Sequence, residues 1–305
     1  MNYAPILVSV YNRLTHLQQC VNSLKKNPLS EYSDLYIVSD APKTKDDEVQ
    51  IELIRSYIDS IHGFKKVYAI NRETNVGSFF SVNLAIDYIF EKSDRLIFIE
   101  DDNIVSSNFL AYINDCLEIF KNNHKIFSVC GYNYPINIPA SYNKEIYFWP
   151  GYSGWGVGLW KEKWSEIDWS KDYAIKFLRN PVNLLKSSKI AGHYNYHFLN
   201  YVNNNHLAGD VAICLNLVSK NMYSVFPSKS KVRNMGTDGS GEHGVQVKDY
   251  SLQFIDNRTY AGQIDEEIMS EKVINSLLRY HFKIGLKSHY FLIKSIIRFY
   301  INNTF

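Results

Sequence analysis

The sequence has few cysteines, and no motif places them in a metal site. Only Cys20, Cys116, Cys130 and Cys214 occur among 305 residues, and none forms a CxxC pair or a Cys/His pair with metal-site spacing. Buried, reduced thiols are therefore expected. The sequence also lacks a run of about 18 to 20 apolar residues, the length that a membrane-spanning helix requires.

Charge of one sign is not in excess either. The 33 Lys and Arg residues nearly balance the 31 Asp and Glu residues, which gives a formal net charge of +2. A broad basic surface for nucleic acid is therefore not expected, and any membrane contact must be local. No basic leader or small-residue cleavage site precedes the first strand-like segment, which predicts a cytosolic protein.

Low-complexity stretches are absent, and 46% of the residues are hydrophobic. This composition predicts a globular chain with a large core. The first 130 residues alternate short apolar runs with amphipathic segments, and the predicted strands cover residues 5–11, 35–39, 67–70 and 96–99. The alternation is typical of βαβ units and predicts an α/β fold with a largely parallel sheet. One main domain over residues 1–250 and a C-terminal helical extension over 251–305 are expected.

Polar residues stand where the predicted strands end. Arg13, Asp40 and Arg72 follow three of the strands, and the acidic triplet Glu100-Asp101-Asp102 follows the fourth. Ligands of open α/β sheets bind beyond the carboxyl ends of the strands. We therefore expect the functional site at this edge of the sheet.

The acidic triplet is the strongest chemical signal. Three adjacent carboxylates repel one another, so they require a cation, and their hard oxygen atoms favour Mg²⁺ or Mn²⁺. An ion held by few protein ligands keeps positions open for diphosphate oxygens. A simpler interpretation is that Asp101 or Asp102 caps a helix beginning near Ser106. The position of the triplet at the end of a central-looking strand favours the metal interpretation.

Beyond residue 130 the periodicity becomes irregular. All five tryptophans lie between residues 147 and 169, among glycines, a composition that suits a binding wall. A helix is predicted over about residues 210–220, and a Gly-rich loop rich in backbone N–H donors follows over 234–244. No internal repeat is present.

Four segments, taken in order, resemble the GT-A glycosyltransferases, in particular N-acetylglucosaminyltransferase I and bacterial family-2-like sugar transferases. The segments are PILVSVYNR at 5–13, IVSD at 37–40, IEDD at 99–102 and FWPGYSGW at 148–155. The likeness covers roughly four fifths of the chain. It implies a GT-A fold, with a nucleotide-sugar-binding half over 1–130 and an acceptor-binding half over 131–250.

The resemblance also implies donor-binding roles. Arg13 and Asp40 would lie beside the nucleotide base and ribose, and Glu100 and Asp101 would face the ribose and the donor sugar. Asp102 would ligate the metal ion. Arg13 as a surface residue and Asp40 as a turn-forming residue are the simpler alternatives.

Further residues belong to the same predicted donor site. Tyr11 and Arg72 are among them, and Gly77 would allow the backbone to approach the nucleotide, although it could equally serve a helix-entry turn. Trp155 would wall the acceptor or donor-sugar pocket, or else belong to the core. Arg233 would stabilise the departing diphosphate, a role that Lys231 could share.

Catalysis by inversion needs a base for the acceptor hydroxyl, and Asp210 lies where the family carries that residue. Its alternative role is the N-cap of the helix that it precedes. His243 would be a further metal ligand, as in some GT-A enzymes, but the sequence departs from N-acetylglucosaminyltransferase I there. A solvated loop histidine is the alternative.

The tail over residues 274–305 interleaves aromatic and aliphatic residues with Arg279, Lys283, Lys287, Lys294 and Arg298. Such an amphipathic, basic segment suits an anionic membrane surface, where a lipid-linked glycan acceptor would be presented. Packing on the main domain, or formation of a dimer, is the alternative.

Together these features predict an inverting transferase that moves a sugar from a UDP-sugar, such as UDP-GlcNAc or a related hexose donor, to an acceptor hydroxyl in bacterial surface-glycan assembly. A nucleotidyltransferase is disfavoured because no Gly-rich, basic phosphate loop follows the first strand. A non-catalytic carbohydrate-binding protein is the third possibility, and the acidic triplet with Asp210 argues against it.

Overall fold

A computed structural model describes residues 3–204, 209–239, 252–260, 262, 264, 265, 267 and 272–302. In this part of the chain an eight-stranded mixed sheet forms the centre, and helices cover it on both faces. The predicted α/β fold class is confirmed.

The N-terminal half alternates strands and helices as the apolar periodicity predicts, and it adds one short strand over residues 103–105 that the periodicity did not predict. Its strands are β1 (Ile6–Val10), β2 (Asp34–Ser39), β3 (Lys66–Asn71), β4 (Arg95–Glu100) and β5 (Asn103–Val105). Its helices are α1 (Leu14–Lys25), α2 (Lys45–Asp59), α3 (Ser78–Phe90) and α4 (Phe109–Ile119). Helix α2 begins in the polar stretch before its apolar residues, because Thr44 and Asp47 form a capping box.

The second half contains elements that the periodicity did not predict. Its strands are β6 (Ile126–Cys130), β7 (Ile146–Trp149), β8 (Val157–Trp160), β9 (Tyr223–Pro227) and β10 (Val232–Asn234). Its helices are α5 (Lys161–Ser165), α6 (Lys171–Leu178), α7 (Pro181–Ile190), α8 (Tyr194–Asn203) and α9 (Gly209–Lys220). Two more helices follow near the end of the chain, α10 (Lys272–His281) and α11 (Leu286–Asn302).

The sheet order is β3-β2-β1-β4-β8-β6-β9-β7. The first four strands are parallel, and β8 runs antiparallel to both β4 and β6. Parallel pairing brings the carboxyl ends of β1, β2, β3 and β4 to one edge. Strands β5 and β10 form a separate antiparallel ribbon directly after the acidic triplet.

Alternate residues of the parallel strands feed two cores. Ile6, Val8 and Ile97 pack on the face covered by α1 and α4, while Leu7 and Phe98 pack on the opposite face. Removing this apolar surface from water stabilises the sheet by about 25 cal/mol per Å². All four cysteines are free and buried in these cores, as the sequence predicts.

The interpretation of the Trp-rich segment as a binding wall is wrong for most of its members. Trp149, Trp160 and Trp164 are buried in the core. The glycines around them serve packing, because a Cβ on Gly151 would lie 2.0 Å from the Trp149 ring.

The C-terminal helices pack on the second half. Helix α11 lies against α8, and α10 contacts α7. Residues before them are tied to the main domain, since Asp256 N donates to Ser230 O and Asn108 Nδ2 donates to Arg258 O. No helix in the described part of the chain is long and apolar enough to cross a membrane.

Candidate donor-binding and catalytic site

An arginine after β1 pairs with the acidic triplet after β4. Arg13 Nη2 forms an ion pair with Asp101 Oδ1, and it also donates to Asp102 Oδ2 at 2.9 Å. Arg13 Nε donates to Asp101 Oδ2 at 3.3 Å. The two strands are neighbours in the sheet, so their ends place the three side chains together. Sequence reasoning named all three residues but not this pairing.

The carboxylate of Asp102 is held by further hydrogen bonds. Asn103 Nδ2 and Asn234 Nδ2 each donate to Asp102 Oδ1 at 2.9 Å. The β5–β10 ribbon aligns these two asparagines directly opposite each other. A Cβ on Gly236 would lie 2.1 Å from Asp102 Oδ2, so only glycine permits this close approach of the loop after β10.

Glu100, the first residue of the triplet, and Asp210 have no such hydrogen-bond partners among the described residues. Burial, together with the charges of Asp102, Asp210 and Asp101, raises the pKa of Glu100 to about 8, against the lowering effect of Arg13. Asp210 lies in the first turn of α9, and its side chain is exposed. No described residue donates a hydrogen bond to either carboxylate. The structure thus brings Glu100 and Asp210 near one another on the solvent side of the cluster.

The carboxylate of Asp40, at the end of β2, accepts hydrogen bonds from backbone N–H groups. Its Oδ1 accepts from Ala41 N at 2.9 Å and from Val76 N at 3.2 Å, and its Oδ2 accepts from Gly77 N at 2.9 Å. Asp40 therefore positions the loop that enters α3. Gly77 has a φ of 81°, and no atom lies within 4 Å of the position that a Cβ would take, so its conformation requires glycine while the space beside it is open.

Two guanidinium groups lie beyond the ends of β2 and β3. Arg72 Nη2 donates to Ser81 O at 2.9 Å, and Arg55 Nη2 donates to Arg72 O at 2.8 Å. Arg55 lies on α2, where the helical pattern gave no reason to select it. The Nε atoms of both arginines are buried, and within the described part of the chain they have no hydrogen-bond partner.

Similar buried guanidinium donors lie beside the acidic triplet. Arg13 Nη1 and Arg233 Nε are buried donors for which no described residue is a partner, and Arg233 pairs with Ile104 across the β5–β10 ribbon. Buried N–H groups are normally hydrogen-bonded, and an unsatisfied one costs about 1–3 kcal/mol. Unsatisfied guanidinium donors along one sheet edge are expected where an anionic ligand binds.

Tyr11 and Lys231 are committed to other contacts. Tyr11 Oη donates to Asp47 Oδ2 at 2.9 Å and accepts from Lys43 N at 2.8 Å, which fixes the start of α2 near the end of β1. Lys231 is buried in an ion pair with Asp256 at 2.8 Å. Lys231 is therefore unavailable to a diphosphate, and Arg233 is the remaining cation of the two.

Trp155 is half-buried at the rim of the core that lies under α1 and α4. Its ring packs edge-on against Tyr132 at a centroid distance of 4.7 Å. The predicted metal ligand His243 lies outside the described residues. The residues that sequence reasoning missed are Arg55, Asn103, Asn234 and Gly236. Asn234 and Gly236 belong to the predicted Gly-rich loop, but nothing in the sequence predicted their contacts with Asp102.

No protein-family model and no curated protein sequence matches the chain. Several solved glycosyltransferases are partly similar to it. The mannosyltransferase PcManGT from Pyrobaculum calidifontis, in complex with GDP-Man and Mn²⁺, is 12% identical over 52% of this chain and 46% of that chain, with a TM-score of 0.37. TarS 1–349 from S. aureus is 13% identical over 75% and 59% of the two chains, with a TM-score of 0.40.

The complex of TarS 1–349 with UDP-GlcNAc is 19% identical over 47% of this chain and 39% of that chain, with a TM-score of 0.31. The chain thus spans less than two thirds of each of these proteins. Such partial likenesses assign neither a substrate nor a residue role. The sheet order and the flanking helices confirm the predicted GT-A-like fold.

Proposed function

We propose that this protein is a glycosyltransferase that moves a sugar from a UDP-sugar to an acceptor hydroxyl with inversion. The observation that carries the proposal is the edge formed by β1, β2, β3 and β4. Buried guanidinium donors that no described residue satisfies lie there beside an acidic triplet. A nucleoside diphosphate offers several anionic oxygens to such donors, and a fork-shaped guanidinium matches them well.

Asp210 is the proposed base. Its carboxylate is exposed, lies near the triplet and accepts no hydrogen bond from a described residue. Those properties suit a group that takes the proton of an acceptor hydroxyl while the diphosphate leaves on the other side. An N-cap role would instead require a hydrogen bond to the start of α9, and none is present among the described residues.

A divalent ion, Mn²⁺ or Mg²⁺, is part of the proposal. The hard oxygen ligands that such an ion prefers are present, because Asp101, Asp102 and Asp210 lie close enough to Glu100 to raise its pKa. Among the described residues no group of three His, Cys, Asp or Glu side chains is spaced to hold an ion by itself. Asp102 and the sequence-predicted His243 would hold the ion. The bound ion supplies positive charge that stabilises the leaving diphosphate.

Calorimetric titration with UDP tests the donor site. Arg72→Gln removes one of the buried donors, and we expect UDP binding to weaken by about tenfold, the equivalent of 1.4 kcal/mol. Arg95→Gln is the matched control, because Arg95 pairs with Asp94 and Glu118 at the opposite end of β4. Absence of UDP binding to the wild type, with or without Mn²⁺, would contradict the proposal. A panel of nucleotide sugars in the same experiment identifies the preferred donor.

Donor turnover separates a transferase from a carbohydrate-binding protein. A transferase is expected to release UDP slowly from its donor even without an acceptor, and Asp210→Asn should reduce transfer more than UDP binding. A binding protein leaves the donor intact.

The acceptor side is proposed to face an anionic membrane. Helix α11 exposes Tyr290, Ile293, Ile297 and Ile301 on one face, while Ile296 and Phe299 lie toward the domain. Residues 272–305 contain Lys and Arg but no Asp or Glu. An apolar face flanked only by basic residues complements an anionic bilayer surface. Helix α11 packs on α8, and α8 in turn contacts α9, the helix that carries Asp210. A lipid-linked glycan acceptor would therefore be presented on this side.

Vesicle co-sedimentation tests this placement. Binding should require anionic lipid and should weaken as the salt concentration rises beyond about 0.15 M, where the Debye length is about 8 Å. Exchange of Ile293 and Ile297 for Ser should abolish it. The control is Leu84→Ser, because Leu84 is similarly exposed but lies on α3. Equal binding to neutral vesicles, or no binding, would favour a packing or dimer role for α11.

A further inference from the structure

We propose that Arg13 is an internal counter-ion that competes with divalent cations for Asp102, and that a bound diphosphate draws it away. The proposal rests on the proposed function, since it supposes that a metal ion and a nucleoside diphosphate meet at the triplet. It assigns to Arg13 a role in ordering the two ligands, separate from its predicted place beside the nucleotide base.

Both oxygens of the Asp102 carboxylate already accept hydrogen bonds. Arg13 Nη2 donates to Oδ2 at 2.9 Å, while Asn103 and Asn234 donate to Oδ1. The ion pair is largely shielded from water, because the side chains of Arg13 and Asp102 are 18% and 9% exposed. A cation that approaches Oδ2 therefore meets the guanidinium of Arg13 there, and the two positive charges repel each other at that distance.

The pairing leaves Arg13 itself incompletely satisfied. Its Nη1 atom is buried and has no hydrogen-bond partner among the residues that the structure describes. Gly236 leaves room beside this nitrogen, since a Cβ at that position would lie 3.3 Å from it. A diphosphate oxygen would give Nη1 the acceptor that the protein does not supply, and guanidinium groups bind phosphates bidentately. Diphosphate binding is thus the event that favours movement of Arg13 away from the carboxylates.

The movement couples the two ligands. When Arg13 turns to the diphosphate, Asp102 Oδ2 becomes free for the ion. Each ligand then raises the affinity for the other by the same factor, as linkage requires. Part of this coupling must disappear when the guanidinium is removed.

The test is Mn²⁺ binding, followed by the paramagnetic resonance signal of the free ion, in the absence and presence of UDP. Arg13→Gln should bind Mn²⁺ alone at least about tenfold more tightly than the wild type, and UDP should enhance its Mn²⁺ binding less. Arg13→Lys keeps the positive charge and should bind Mn²⁺ alone as weakly as the wild type. The control Arg95→Gln removes an arginine that also pairs with two carboxylates, at the far end of β4, and should match the wild type.

Equal or weaker Mn²⁺ binding by Arg13→Gln would overturn the proposal while leaving the proposed function intact, provided that UDP still binds. If neither protein binds Mn²⁺, even with UDP, both the competition and the metal dependence are wrong. Should Arg13→Gln fail to fold, the wild type still decides: UDP must raise its Mn²⁺ affinity, and an unchanged affinity overturns the competition.

Discussion

Asn234 Nδ2 donates a hydrogen bond of 2.9 Å to Asp102 Oδ1, across 132 residues of sequence. Asn234 Oδ1 in turn accepts from Gly236 N at 2.8 Å. These two bonds join the acidic triplet after β4 to the loop after β10. The geometry of the candidate metal ligand Asp102 therefore depends on Asn234 and on the start of the loop after β10.

Gly236→Ala tests this dependence. The added Cβ would meet Asp102 Oδ2 at 2.1 Å, so the loop or the carboxylate must shift. We expect a loss of stability of about 1–3 kcal/mol and weaker UDP binding, measured by urea unfolding and calorimetry. Gly285→Ala is the control, because nothing lies within 4 Å of its Cβ position. A Gly236→Ala protein as stable and as active as this control would show that the loop adapts freely.

Asp210→Asn tests the proposed base. Transfer should fall by on the order of 10²- to 10⁴-fold, because Asn cannot take the acceptor proton, while UDP affinity and melting temperature should persist. Asp172→Asn is the matched control, since Asp172 also stands in the first turn of a helix, α6. Normal transfer by Asp210→Asn would exclude the base role. A joint loss of UDP binding and transfer would indicate a disturbed pocket.

The sequence was sufficient to predict the N-terminal half of the fold. Parallel strands such as β1 and β4 are buried on both faces, so their sequences are continuous apolar runs. For this reason their ends were predicted to within about two residues. Strands β7 and β8 have four residues each, too few for a reliable period, and they lie in a segment that is rich in aromatic residues and glycine.

The site was predictable only in part. Arg13 and the triplet stand at strand ends, where a general rule for α/β sheets directs attention. Their partners Asn103, Asn234 and Gly236 carry no local signal for these contacts, because the contacts depend on the pairing of β5 with β10. Asp40 was predicted at the nucleotide, and that role stays a prediction, but its oxygens hold the backbone of Val76 and Gly77.

A buried histidine makes the docking of α10 sensitive to acid. Burial, together with the charges of His197 and His281, lowers the pKa of His193 to about 3. A depressed folded-state pKa means that stability is complete above the unfolded value of about 6.5 and is lost as the pH falls below it. At pH 5 the loss from His193 is about 2 kcal/mol.

Urea unfolding at pH 7.5 and pH 5.0 measures this loss. His193→Phe replaces one flat ring by another beside Phe282, which lies 4.4 Å away between ring centroids. This variant should lose about 2 kcal/mol less than the wild type between the two pH values. The exposed His62, changed to Phe, is the control and should leave the difference unchanged. An unaltered pH dependence in His193→Phe would assign the acid sensitivity to other groups.

The buried pair of Lys231 and Asp256 is expected to secure residues 252–260 to the main domain. Their side chains are 2% and 1% exposed, and Arg258 also donates to Asp256. Asp256→Asn leaves a buried ammonium without its counter-charge and should destabilise the protein by about 3–5 kcal/mol. Joint replacement of Lys231 by Met and Asp256 by Leu should cost less than the sum of the single changes. Additive effects in urea unfolding would show that the two charges do not interact.

The most direct test of the central claim is the release of UDP from UDP-sugars by the purified protein with Mn²⁺. We expect the wild-type protein to release UDP from at least one donor and to lose this activity when the ion is chelated. The Asp102→Ala variant should remain folded but release little UDP. Undiminished release by Asp102→Ala, or no release and no UDP binding with any donor, would contradict it.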